Sequence, residues 1–187
     1  MGDAELKKLN QILEIALNNL YASDAEILEN NANERSMSFR LGIYLSNEIT
    51  KKEFADFINN SNSERQELEY KLSVDSEYNR SSEETKKLNL LKFQDKVGME
   101  LPHPQWDEVS IFPDLIVHSR MNDFANILAI EIKKQSNRNL AEWEFDRLKL
   151  QHLTSPEQRY QYDFGAFIVL GSKNYSIEYF CNGERLD

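Results

Sequence analysis

The chain of 187 residues is short of several things, and each shortage closes off a class of protein. Its single cysteine, Cys181, excludes an intrachain disulfide framework and a cysteine-rich zinc site. Only three histidines, His103, His118 and His152, are present, and they share no recognisable metal-ligand spacing. No apolar run approaches the roughly 18 residues needed to cross a bilayer, so no membrane association is expected. The N-terminus, MGDAELKKLN, is polar where an export signal would be basic and then apolar, which makes the cytoplasm the expected location. Positive charge is scarce as well. Lys and Arg number 22 against 32 for Asp and Glu, a net charge of −10, the reverse of the usual footprint of a protein that grips nucleic acid by its phosphates.

What is present is a globular composition, 40% hydrophobic and 11% aromatic, in a chain long enough for one sizeable core. A single domain over 1–187 is therefore expected. Its first 32 residues carry an amphipathic helix, Glu5 to Leu20, with Leu6, Leu9, Leu13, Ala16, Leu17 and Leu20 on one stripe. A second helix should run from Glu34 to about Ile49 with Asn33 as N-cap. Met37, Leu41, Tyr44 and Leu45 share one side of it and Phe39 and Ile43 the opposite side, which predicts cover by the sheet and by the first helix. Thr50-Lys51-Lys52-Glu53 fits a capping box for a short helix through Phe54, Phe57 and Ile58.

From Leu68 the period becomes two, and a strand is expected to end in Glu77-Tyr78-Asn79-Arg80. Ser81-Ser82-Glu83-Glu84 reads as a capping box opening an inserted helix with Leu88 and Leu91, so that 81–104 becomes a helical insertion and loop. Two β-prone runs, Leu115-Ile116-Val117 and Ile127 to Ile132, flank the polar turn SRMNDFAN and predict an antiparallel hairpin. A helix follows over Asn139 to Leu153, with Ala141, Phe145, Leu148 and His152 on one side and Trp143 and Leu150 on the other. Ser155-Pro156 should start a short turn, and strands are expected at Phe164–Leu170 and Tyr175–Phe180. The order predicts an α/β (α+β) fold, a mixed sheet flanked by helices.

Three charges stand out in the hairpin. Glu131 and Lys133 project from one face of their strand while Ile130 and Ile132 point to the other. If Asp114 pairs onto the same face, two carboxylates and an ammonium converge in the middle of a sheet, where charges must pair or hold a metal. The plainer reading is that Asp114 ends a turn and Glu131 and Lys133 form an ion pair on an edge strand.

These residues resemble a known family. Pro113-Asp114, the Glu131-Ile132-Lys133 triplet 17 positions on, and the element order αβββαβ look like the PD-(D/E)XK nuclease superfamily, with its restriction-endonuclease-like fold. Glu34-Arg35 with Arg40 and Tyr44-Leu45, Glu77-Tyr78-Asn79-Arg80, and Asp146 with Lys149-Leu150 resemble little-characterised bacterial and phage members of it. The resemblance covers about Glu34 to Leu170. It implies metal-dependent hydrolysis of DNA phosphodiester bonds. Asp114, Glu131 and the backbone carbonyl of Ile132 would hold Mg²⁺ or Mn²⁺, and Lys133 would orient or help deprotonate the attacking water. Glu34 would be a further metal ligand, against the simpler account that it favours a helix N-terminus. Glu77 is a secondary candidate beside the reading of a solvated rim, and Arg80 and Lys149 could meet phosphates or do nothing specific. No organic cofactor is implied. The alternatives are a catalytically inactive nuclease-fold subunit, which the acidity would suit, and an acidic protein that docks its helical N-terminal region onto a partner or a second copy of itself.

Overall fold

Helix α1, Asp3–Ser23, packs on the sheet through its leucine stripe: Leu9, Ile12, Leu13, Ala16, Leu17 and Leu20 are buried. The computed structural model describes residues 3–61, 71–77, 80–81, 84–85, 87–89, 108–120 and 125–186. A short helix α2, Ala25–Glu29, lies in the expected polar break. Helix α3, Glu34–Ile49, starts where expected, because the Asn33 side chain accepts the Ser36 N–H at 2.8 Å and satisfies one of the helix's unpaired donors. Met37, Leu41 and Leu45 are buried beneath α1 and against the sheet. Gly42 sets how close α3 comes: a Cβ there would meet the Leu115 side chain at 3.0 Å. The expected double cover is incomplete, since Phe39 stays 61% exposed. Helix α4, Lys52–Ser61, buries Phe54 and Ile58. Thr50 does not cap it, because its hydroxyl donates back to the carbonyls of Ser46 and Asn47 and closes α3.

Strand β1, Leu72–Ser76, is followed by β2 (Arg80–Ser81), β3 (Glu84–Thr85), β4 (Lys87–Asn89) and β5 (Glu108–Ser110). Here the structure corrects the sequence reading. Where an inserted helix was expected to begin, β2 pairs with β3 and β4 with β5. Helix propensity and a capping pattern are weak local signals, and pairing with a segment some twenty residues away overrides them. The remainder of the 81–104 insertion, and the expected start of β1 at Leu68, lie outside the described residues.

The hairpin is present as expected. Strand β6, Leu115–Ser119, runs antiparallel to β7, Asn126–Lys134, with Leu115 opposite Ile130 and Val117 opposite Leu128. Helix α5, Leu140–Thr154, crosses over to β8, Phe164–Leu170, which lies parallel to β7. Strands β9, Tyr175–Cys181, and β10, Glu184–Arg185, complete a six-stranded mixed sheet of order β1-β6-β7-β8-β9-β10. The elements α3, β1, β6, β7, α5, β8 follow one another in the αβββαβ order read from the sequence.

Two apolar cores lie on opposite faces of the sheet. Leu128, Ile130, Ile132, Ala166 and Ile168 face the α1 and α3 side, and Ile116, Ala129, Phe167, Leu150 and Leu153 form the α5 side. Helix α5 buries part of what the sequence suggested: Leu148 and His152 of one side and Leu150 of the other are buried, while Phe145 and Trp143 are half-buried. Ala141 is exposed, and the side turned to the sheet runs through Trp143, Asp146, Leu150 and Leu153. Among the described residues no helix is long and apolar enough to cross a membrane.

Candidate active site at the end of the central strands

The register that places Leu115 opposite Ile130 brings Asp114, one residue before β6, across from Glu131. Alternation then puts Asp114, Glu131 and Lys133 on the α5 face, with Ala129 and Ile116 beneath them. Asp114 is fixed from both sides. Its Oδ2 accepts the Ile132 N–H at 2.7 Å, and its carbonyl lies 3.3 Å from both the Ser38 hydroxyl of α3 and the Glu77 N–H.

Helix α5 supplies two more charges at helical spacing. Lys149 Nζ stands 2.8 Å from Glu131 Oε1 and 2.6 Å from Asp146 Oδ1. Lys133 Nζ stands 2.7 Å from Asp146 Oδ2 and 3.6 Å from Glu34 Oε2. Asp146 thus bridges both lysines. The cluster is nearly dry: side-chain exposure is 2% for Glu131, 6% for Asp146, 11% for Lys149 and 13% for Lys133.

Burial sets the electrostatics. It pushes the Asp114 carboxyl up to about 6, against the hydrogen bond from Ile132 and the charges of Lys149 and Lys133. It raises Glu131 well above the usual carboxylate range, opposed by Lys149 and reinforced by Asp146 and Asp114. For the lysines burial acts the other way, disfavouring the ammonium. At Lys133 the hydrogen bond and charge of Asp146, and at Lys149 the charges of Glu131 and Asp146, outweigh it, so both are held above their ordinary range.

The donor set suits a hard divalent ion. Glu131 Oε1 and Asp146 Oδ2 are buried carboxylate oxygens, the ligand type such an ion takes, and each is faced by a lysine ammonium, Lys149 at 2.8 Å and Lys133 at 2.7 Å. Among the described residues no three carboxylate or histidine side chains gather around one point, because the acids pair off with Lys133 and Lys149.

The sequence candidates divide accordingly. Asp114, Glu131, Lys133 and Lys149 come together. Glu34 joins at the rim, where its Oε1 accepts the Lys134 N–H at 3.1 Å, so its visible work is to tie the start of α3 to the end of β7. Glu77 does not join: it ends β1 in a left-handed turn with φ of 49° and pairs with the exposed Arg35 at 2.8 Å. Of Arg80 only the backbone in β2 is described. Asp146 is the residue that site reasoning passed over. Its signal was its spacing from Lys149, three positions on the same helix face.

Comparison with known proteins finds no family model, no curated protein and no solved structure that matches this chain.

Proposed function

We propose that the protein is a metal-dependent nuclease that hydrolyses DNA phosphodiester bonds, a PD-(D/E)XK-type enzyme with a restriction-endonuclease-like core. The observation that carries this reading is the placement of Asp114 across from Glu131, with Lys133 one pleat further on the same face. Held by Asp114, Glu131 and the Ile132 carbonyl, Mg²⁺ or Mn²⁺ would supply charge neutralisation at the phosphate and acidify a water molecule. Lys133 remains an ammonium because Asp146 raises its pKa, so its part is to donate hydrogen bonds to phosphate and stabilise charge rather than to accept a proton. Asp146 positions Lys133, and Lys149 limits repulsion between Glu131 and Asp146.

The test uses purified protein with Mg²⁺ or Mn²⁺ and labelled single-stranded, duplex and branched DNA. Cleavage should need the metal and fall at least about a hundredfold in Lys133→Ala and in Asp114→Asn. Equal trace cleavage by wild type and both variants rules the reading out. One observation favours a second reading, an inactive nuclease-fold interaction subunit that engages a partner protein or a second copy. Lys149 already balances Glu131 and Asp146 without any metal, in a chain of net charge −10. Calorimetry that detects no Mg²⁺ binding dependent on Asp114 and Glu131 would support this second reading.

A further inference from the structure

On the other side of β7 from the buried ion cluster lies a cavity of about 290 Å³. Its position follows from topology. Strands β7 and β8 are parallel, and both run out into its wall, β7 through Lys134, Gln135 and Ser136 and β8 through Leu170, Gly171 and Ser172. Ligands of open α/β sheets bind at the carboxyl ends of such strands, where the connections diverge and leave a crevice. The loops here are pinned around the opening: Gln135 N–H donates to the Leu170 carbonyl at 2.8 Å, and Ser136 Oγ lies 2.9 Å from Asn31 Oδ1 of the α2–α3 connection.

The lining is divided by chemistry. Leu28, Met37 and Leu170, each 5% exposed or less, give one apolar side. Lys134 and Arg138 give a cationic side, and among the described residues neither takes part in an ion pair. Other described lysines, Lys7, Lys8, Lys52, Lys71 and Lys173, are also without an ion pair; what distinguishes Lys134 and Arg138 is that both line the same cavity. Two unmatched cations beside a dry apolar wall suit a ligand with a planar apolar body and one anionic group. The volume is at the lower end of small-ligand sites, about 300 Å³, which admits one nucleotide and excludes a duplex. Glu29, also on the wall, would repel additional phosphates, so a monophosphate is favoured over a di- or triphosphate.

We propose that this cavity is a subsite for a single nucleotide at the end of a DNA strand, with its phosphate on Lys134 and Arg138 and its base against Leu28, Met37 and Leu170. The choice of DNA rests on the nuclease reading above. The connection between the two places is one peptide long: Lys133 turns to Asp146, Lys134 turns into the cavity, and Glu34 contacts both residues. The two places lie on opposite faces of the sheet and share only the carboxyl end of β7, so a strand that reached both would pass around that end.

The experiment titrates the full chain, in chelator and without metal, with dAMP, deoxyadenosine and inorganic phosphate by calorimetry. Saturable dAMP binding is expected, about tenfold or more tighter than either fragment, and weakened about tenfold or more in Lys134→Gln and in Arg138→Gln. Both side chains reach solvent, and circular dichroism will show that the variants fold. Asp114→Asn should bind dAMP as wild type does. No saturation with dAMP up to about 10 mM, phosphate binding as tightly as dAMP, or unchanged binding in both glutamine variants overturns the proposal. DNA cleavage without dAMP binding removes the subsite and leaves the nuclease standing; dAMP binding without cleavage does the reverse.

Discussion

Asp75, on the edge strand β1 opposite Ile116, and Asp114, just before β6, carry carboxyl groups with opposite electrostatics. Asp75 reaches His118 Nε2 at 2.8 Å and Arg120 Nε at 2.8 Å, and the Arg120 guanidinium holds its carboxyl below the usual range. Asp114 accepts a backbone N–H and faces two lysines across a dry interface, yet burial lifts it to about 6. A carboxylate at the edge, with an arginine in solvent beside it, gains more from its partner than it loses in hydration. In the centre the loss of hydration wins. The first arrangement stabilises the fold, and the second stores a cost of the kind found at functional sites.

The comparison can be broken most forcefully at Lys149. Lys149→Met would leave Glu131 and Asp146 buried without their shared counter-charge and should cost about 3–5 kcal/mol in urea unfolding at pH 7. Adding Glu131→Gln and Asp146→Asn to that variant should restore much of the loss. If Lys149→Met is as stable as wild type, the cluster is wetter than its geometry indicates.

The next effect has the opposite direction. Because the folded-state pKa of Asp114 is raised from 3.8 to about 6, the unfolded chain ionises first as pH rises, and stability is lost between those values. Asp114→Asn, whose side-chain oxygen can still accept the Ile132 N–H, should therefore be more stable than wild type by about 3 kcal/mol above pH 6, with the gain vanishing below about pH 4. Denaturation in chelator across that range checks it. The same variant loses cleavage under the proposed function, so stability and activity would part company at one residue.

At Asp75 the sign reverses. Its folded pKa is lowered, so its contribution is present above the unfolded pKa and disappears as pH falls through the folded one. Asp75→Asn should cost roughly 1.5–3 kcal/mol at neutral pH and little in acid, read from the same denaturation series. The smallest effect belongs to the exposed Arg35 and Glu77 pair, where Arg35→Ala should change stability by no more than about 1 kcal/mol and less in high salt.

Much of this fold was legible because its signals are local. The leucine stripe gave α1, Asn33 gave the start of α3, and two β-prone runs around a polar turn gave the hairpin. The misreadings share a cause in tertiary contact. The buried side of α5 contains Asp146, which a hydrophobic stripe excludes by construction, and only the lysine partners make its burial tolerable. At β4 a distant segment decides the conformation. The β9–β10 hairpin was signalled locally, by Asn182-Gly183 with φ of 53° and 78°, a strong tight-turn pair that the sequence reading ended too early to use.

By itself the sequence determined that Glu131 and Lys133 share a face, since alternation along a strand is a property of the backbone. It also determined that Asp114 and Glu131 are close enough along the chain for one hairpin to join them. Only the tertiary structure decided which charges meet them. The crossover between β7 and β8 lays α5 over that face and brings in Asp146 and Lys149, while the opposite turn of Lys134 opens onto a separate cavity. Side-chain pairing across elements depends on packing distance and burial, and neither is written in the spacing of residues along a chain.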